Sequence, residues 1–306
     1  MTDNLPLVSV VITTKNEEKN IETCIKSILG QSYPKAKIEI IVVDNKSTDK
    51  TQELALKYTD KVFARGPEMS AQRNYGLLDK STGEYLLYLD ADMILAPGII
   101  EACVANITKP NTVALHISET VLGKKYFSKV RRFERGFYDG TVIDGARFFK
   151  KESLTKVGGF DDSMSGPEDW DLDKKLKQLG AIGMLNKNTT GTAYTGWPLT
   201  EFVSTKGVNP ADCGNVIFHN ESEFNLKKYI TKKGYYAKSF DGYIAKWGKS
   251  DPDIVKQLGM PYRFFGVFLE NGKWKKLIAH PDMAFGMYVL RFLVGLSFVL
   301  NKHAGN

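Results

Sequence analysis

The chain has 306 residues, 42% hydrophobic and 25% charged, an ordinary globular composition long enough for one full core plus an appended segment. Lys and Arg outnumber Asp and Glu by 42 to 35, a net charge of +7, which suits a phosphate-bearing partner without choosing among nucleotide, membrane surface and nucleic acid. Cys24, Cys103 and Cys213 show no CxxC spacing, so neither a disulfide framework nor a zinc knuckle is supported, and a reducing compartment is expected.

The opening MTDNLPLVSVVITT lacks the basic start and apolar stretch of a signal peptide, so the fold is expected to begin directly. The Asn106-Ile-Thr108 sequon then reads as a chance match. Residues 8–13 form a β-branched run that predicts a strand, and Ile21, Cys24, Ile25, Ile28 and Leu29 follow at the spacing of a helix face. The same order returns at 38–43 before a predicted helix over 51–58, at 62–64 before a helix over 70–78, and at 85–89. Such alternation predicts an α/β fold, a doubly wound, mostly parallel sheet with helices on both faces.

Ligands of such sheets sit outside the carboxyl ends of the strands. Polar residues fall at those ends: Thr13, Thr14, Asn16 and Glu17 after the first strand, Asp44 after the second, and Asp90-Ala91-Asp92 after the fourth. Carboxylates gathered in one crevice repel unless a hard divalent cation and phosphate oxygens offset them. That predicts a metal and nucleotide site; singly, the same acids also serve as helix caps or turn formers. No GxxxxGK[ST] occurs, and no GxGxxG follows the first strand, so backbone cradling of phosphates is not expected.

The stretches VSVVITTKNEEKNI, IIVVDNKSTDKT, AQRNYGL, GEYLLYLDADM, VGGFDD and PEDWDL, in this order between residue 8 and about residue 180, resemble the inverting family-2 glycosyltransferases of the GT-A fold. The resemblance implies that Thr13, Glu17 and Asp44 hold the base and ribose of a UDP- or GDP-sugar donor, with Asp90 on the ribose side. Arg73 and Asn74 would lie beside the donor, and Asp92 would bind Mn²⁺ or Mg²⁺. Asn45 stands where the common pattern has a second aspartate, so the base is left open.

Leu172, Leu176 and Leu179 predict a helix ending at Gly180, with Glu168 and Asp169 in its first turn. Acids there complement the helix dipole by about 0.3–1 kcal/mol. In the resembled family this pair supplies the base that deprotonates the acceptor, which implies Asp169 as base and Glu168 as its support. The acceptor is expected at Gly159, Phe160 and Trp170. His219 resembles the late histidine that completes the metal shell in many GT-A enzymes, and it is equally readable as structural. Lys227, Lys228, Tyr229, Lys232 and Lys233 follow it, as in relatives with lipid acceptors.

Two segments raise the question of a membrane. Tyr126, Val130, Phe133 and Phe137 recur at helical spacing among Lys124, Lys125, Lys129, Arg131, Arg132 and Arg135, which reads as an interfacial helix or as one packed on the sheet. Residues 283–300 are apolar but for Arg291 and Ser297, short of the ~20 residues that span a bilayer. An interfacial helix is expected there, with a core helix as the competing reading. The expected organisation is a catalytic domain over 1–222, with a nucleotide-sugar half to about 95 and an acceptor half after it, then a C-terminal helical extension over 223–306. The expected function is metal-dependent transfer of a sugar to a lipid-linked saccharide in glycan or polysaccharide assembly, by a protein peripheral to the cytoplasmic membrane face. Nucleic acid is not an expected partner. A nucleotidyltransferase and a polyprenyl-phosphate sugar synthase are the alternatives.

Overall fold

The computed structural model describes residues 4–185, 194, 196–236 and 239–303. Strand β1 (Val8–Thr14) is buried along its whole length. Val8, Val10 and Ile12 enter one core with Ile21, Cys24, Ile25 and Ile28, and Val11 enters another with Leu77, Leu172 and Leu176. Alternate side chains thus pack on opposite faces, as a strand between two helical layers requires.

The first half runs β1, α1 (Ile21–Leu29), β2 (Ile38–Asp44), α2 (Thr51–Ala55), β3 (Val62–Ala64), α3 (Met69–Asn74) and β4 (Tyr85–Asp90). Helix α2 stops short of the predicted 58, and α3 continues as a wide turn over Tyr75–Lys80. There Gly76 lies against the sheet, where an added Cβ would stand 2.3 Å from Val11 Cγ1.

The second half adds β5 (Met93–Leu95), α4 (Ile99–Ile107), β6 (Thr112–His116), β7 (Glu119–Leu122), α5 (Tyr126–Arg135), β8 (Ala146–Lys150), α6 (Lys151–Lys156), α7 (Glu168–Lys177), β9 (Ala181–Met184), α8 (Thr200–Thr205) and β10 (Ile217–Asn220). The main sheet has the order β3-β2-β1-β4-β8-β6-β9. Only β8 runs antiparallel to its neighbours, so the sheet is mixed and mostly parallel. A small sheet, β5-β10-β7, brings β10 beside the segment after β4.

Helices α9 (Leu226–Tyr236), α10 (Phe240–Trp247), α11 (Pro252–Leu258), α12 (Val267–Leu269), α13 (Trp274–Ala279) and α14 (Pro281–His303) complete the chain. Val267, Phe268, Met287 and Leu290 share a core with Val130, Phe133 and Phe137 around α5, so the C-terminal helices are packed on the catalytic half. The apolar face of α5 is thus covered by protein. Its arginines are held internally: Arg131 pairs with Glu134 at 2.9 Å, Arg135 with Glu119 at 3.0 Å, and Arg132 donates to the carbonyls of Val121 and Gly123, while Lys124, Lys125 and Lys129 are exposed. Arg291, in mid-α14, pairs with Glu134 at 3.0 Å. Among the described residues no helix is long and apolar enough to cross a membrane. Residues 186–193 and 195, and the side chains of Lys233 and 298–300, lie outside the described residues.

His116 closes β6 with its Nε2 2.6 Å from Asp173 of α7 and its Nδ1 3.8 Å from Asp144. Burial disfavours its charge, but Asp173 and then Asp144 outweigh burial and raise its pKa above the ordinary 6.5. A raised folded-state pKa gives stability that is complete below pH 6.5 and is lost as pH rises through the folded value. His116→Gln should therefore cost more unfolding free energy at about pH 6 than at about pH 9, read by urea titration. A difference between the two proteins that does not change with pH contradicts the pairing.

Candidate active site

In-register pairing of β1 with β2 and β4 sets Thr14 beside Asp44 and Thr13 beside Asp90. With neighbouring strands about 4.8 Å apart, the polar strand ends form one row. Asp44 is fully buried and accepts from the Ser47 amide at 2.8 Å and the Gln52 amide at 2.6 Å. Thr13 donates to Asp90 at 3.1 Å. Glu17 accepts from Asn20 at 2.7 Å, and Asn20 in turn accepts from Asn220 of β10 at 2.8 Å. Burial first, and then the charges of Asp92, Asp49 and Asp90 against the opposing Asn20 hydrogen bond, push the Glu17 carboxyl up.

Arg73, only 3% exposed on α3, is the centre of the crevice. Its guanidinium reaches Asp90 at 3.3 Å, Asp169 at 3.2 Å and Glu168 at 3.6 Å. Two rings lie beside it, Tyr88 at 4.4 Å and Phe160 at 5.2 Å. Burial opposes its charge, yet Tyr88, Asp169, Asp90 and Glu168 together raise its pKa. Asp90 shows the reciprocal effect: burial would raise it, and Arg73, then Arg147 and His219, hold it below the ordinary value.

Asp169 accepts on the same oxygen, Oδ1, from both Arg73 and the Tyr88 hydroxyl, the latter at 2.8 Å. Its side chain is 30% exposed against 11% for Glu168. Burial, then the charge of Asp169, pushes the Glu168 carboxyl up, and the Gly166 amide donates to it.

Across the row, β10 brings His219 Nε2 to 3.2 Å from Asp92 Oδ2. The other Asp92 oxygen is buried without a hydrogen-bond partner. An orphaned carboxylate oxygen beside an imidazole nitrogen is a donor set that suits Mn²⁺ or Mg²⁺, with the rest of the shell left to ligand oxygens. Among the described residues no three His, Cys, Asp or Glu side chains converge as a complete protein shell. His219 Nδ1 lies 3.8 Å from Glu119 and 3.9 Å from Glu221. Burial would lower its pKa; Asp92 first, then the hydrogen bond to Glu119 and the charge of Glu221, hold it well above the ordinary value.

Thr13, Arg73, Asp90, Glu168 and Asp169 thus form one contact network, and Asp92 with His219 a second. Asn74 turns elsewhere: its amide brackets the loop at Gly159 and Phe160, donating to the Phe160 carbonyl at 2.9 Å and accepting from the Phe160 amide at 2.8 Å. Gly159 is tight against it, since an added Cβ would stand 2.3 Å from Asn74 Oδ1. Trp170 points to the C-terminal helices, donating to the Ile143 carbonyl at 3.0 Å and lying 5.8 Å from the Phe240 ring. Asn74 thus holds the Gly159–Phe160 loop, and Trp170 joins α7 to the C-terminal helices.

Three residues that the sequence reading did not single out belong to the site. Tyr88 holds Asp169, Arg147 lies 4.9 Å from the Tyr88 ring and 2.7 Å from Glu119, and Glu119 backs His219. Trp197 stacks on Phe218 at 6.0 Å and so supports β10 next to His219.

Residues 9–159 match the family model described as Glycosyl transferase family 2. The chain is 38% identical over 99 residues to Glycosyltransferase AglE of Haloferax volcanii, covering 30% of this chain and 32% of the relative. It is 30% identical over 165 residues to the Dolichol-phosphate mannosyltransferase of Pyrococcus furiosus, covering 52% and 44%. The chain thus spans less than half the length of these two curated relatives. In fold it is similar to the mannosyltransferase PcManGT from Pyrobaculum calidifontis, solved in complex with GDP-Man and Mn²⁺. That likeness has a TM-score of 0.61 at 19% identity and covers 98% of this chain and 89% of that one.

Arg73→Met leaves clustered carboxylates without a counter-charge and should cost about 3 kcal/mol of unfolding free energy. Asp169→Asn in the same background should be less than additive, because the partner is already gone. Denaturant unfolding of the two single variants and the double decides this; an Arg73→Met protein as stable as its parent contradicts the clamp.

Proposed function

The chain belongs to glycosyl transferase family 2 through residues 9–159, and from that membership we propose that it moves a sugar from a nucleotide-diphosphate donor to an acceptor hydroxyl with inversion. The observation that carries the proposal is a pair of carboxylate sites, one on each side of Asp90 in the contact pattern: Asp92 with His219 just after β4, and Asp169 with Glu168, tied to Asp90 through Arg73. The row Thr13, Asp44 and Asp90, with Glu17 above it, is assigned to the base and ribose of a UDP- or GDP-sugar. A GDP-sugar is the donor bound by the structure similar in fold.

Asp92 and His219 are the residues that would hold a divalent cation. Bound there, Mn²⁺ or Mg²⁺ supplies charge stabilisation for a departing diphosphate. Asp169 is assigned as the base: it is the more open carboxylate of its pair, and with both contacts on Oδ1 its Oδ2 is free to accept the acceptor's proton. Glu168, Tyr88 and Arg73 orient it. Gly159 and Phe160 border the acceptor side through the loop that Asn74 holds.

The proposed acceptor is a lipid-linked saccharide in glycan or polysaccharide assembly, met at the cytoplasmic face of a membrane. Supporting it are the basic run after His219 and three free cysteines, which suit a reducing compartment. A second reading, favoured by the name of the Pyrococcus furiosus relative, has a polyprenyl phosphate as acceptor. Its nucleophile is already ionised and needs no base.

Incubation with UDP- and GDP-sugars and Mn²⁺ should release nucleoside diphosphate and not pyrophosphate, and chelation should stop it. Asp169→Asn should lower kcat on a hydroxyl acceptor about 100- to 10,000-fold while donor affinity stays near normal. Transfer that survives this substitution points to the phosphate acceptor, and equal loss of donor binding and transfer defeats the assignment of Asp169.

A further inference from the structure

We infer that the outward face of α13 and α14, with the adjoining lysines of α9, is a docking surface for the headgroup and acyl boundary of an anionic bilayer. The inference deepens the lipid-acceptor reading and rests on it only for the purpose of the surface. Among the described residues twelve large hydrophobic side chains are exposed, and nine of them lie between Val255 and Leu296. Apolar exposure on this scale in one region marks a contact surface.

On α14, Phe285, Phe292 and Leu296 stand at i, i+7 and i+11, one row along a helix. They are 72%, 65% and 47% exposed. The opposite face, with Met287, Leu290 and Arg291, is buried against α5 and α12. Packing therefore accounts for the inner face alone, and the outer row has no partner among the described residues. On α13, Trp274 and Ile278 are exposed one turn apart, and the exposed Lys275 stands 5.9 Å from the Trp274 ring.

Charge selects the occupant. On α13 and at its start Lys275 is exposed and Lys273 and Lys276 are half-buried, against the exposed Asp282 of α14; Arg291 is buried on Glu134 and takes no part. Helix α9, packed along α14, adds the exposed Lys227 and Lys228. A basic rim around an aromatic row complements anionic lipid. A second copy would set like charges face to face.

The surface also adjoins the crevice. The charge of Lys232 on α9 helps hold the Asp90 carboxyl below its ordinary value, so the helix that borders this face also borders the crevice. No segment need span: the row lies along the helix, as an interfacial contact requires.

The full chain should float with vesicles of phosphatidylcholine containing about 30% phosphatidylserine, more weakly with phosphatidylcholine alone, and less as salt rises. The triple variant Phe285→Ser, Phe292→Ser, Leu296→Ser should lose vesicle partition by at least about tenfold. Its melting temperature and its donor affinity should match the parent. Absence of binding to either vesicle, unchanged binding of the triple variant, or a light-scattering dimer that the variant abolishes without vesicle binding would each overturn the inference. Failure of nucleoside-diphosphate release with intact vesicle binding would instead count against the transfer reading and leave the surface standing.

Discussion

One buried guanidinium organises this crevice. Arg73 lies under the row of strand ends, bonded to Asp90 at the end of β4 and to Asp169 at the start of α7. These segments are 79 residues apart in sequence, and each contributes a carboxylate; burial alone would raise the pKa of the one on Asp90. Without a resident cation the acids would repel. With Arg73 between them, and the Tyr88 and Phe160 rings beside it, both are held in place, and the Asp90 carboxyl is kept below its ordinary value. The cost of burying one charge is offset by three partners, which is the condition under which a buried cation is tolerated.

A second chain of charges begins at the other carboxylate site. His219 joins Asp92 to Glu221, Arg131 joins Glu221 at 3.4 Å to Glu134 at 2.9 Å, and Glu134 meets Arg291 of α14. Glu134 and Arg291 are buried and the other four half-buried, so screening by solvent weakens toward α14 and the geometry of the links is mutually dependent. Arg131, one of the bases that suggested an interfacial helix in the sequence, is an inner link of this chain.

The fold was largely legible before the coordinates. Strands β1, β2 and β4 are apolar runs long enough to be buried on both faces, and the polar residues after them mark the crevice by position alone. The antiparallel strand β8 carried no comparable signal, since Arg147 and Lys150 bracket its two phenylalanines. The supporting side chains were illegible for a related reason. Tyr88 reads as an ordinary strand aromatic, Glu119 as an exposed acid, and Arg147 as an exposed base, because a sequence shows a charge without its partner. Asn74 and Trp170 were placed by motif in the right neighbourhood, but which neighbour receives each hydrogen bond depends on a loop and a helix far along the chain.

Arg291 has one more effect. Seated on Glu134, it sets the rotational phase of α14 about its own axis. A purely apolar helix could roll on a greasy surface, since any side would bury about as well as another; a charged pin removes that freedom. Each residue inserted between Phe285 and Arg291 would turn the upstream part of the helix by about 100° relative to the pin, sweeping Phe285 away from the line of Phe292 and Leu296. The direction in which this end of the molecule is oily is thus decided by an electrostatic contact in its interior.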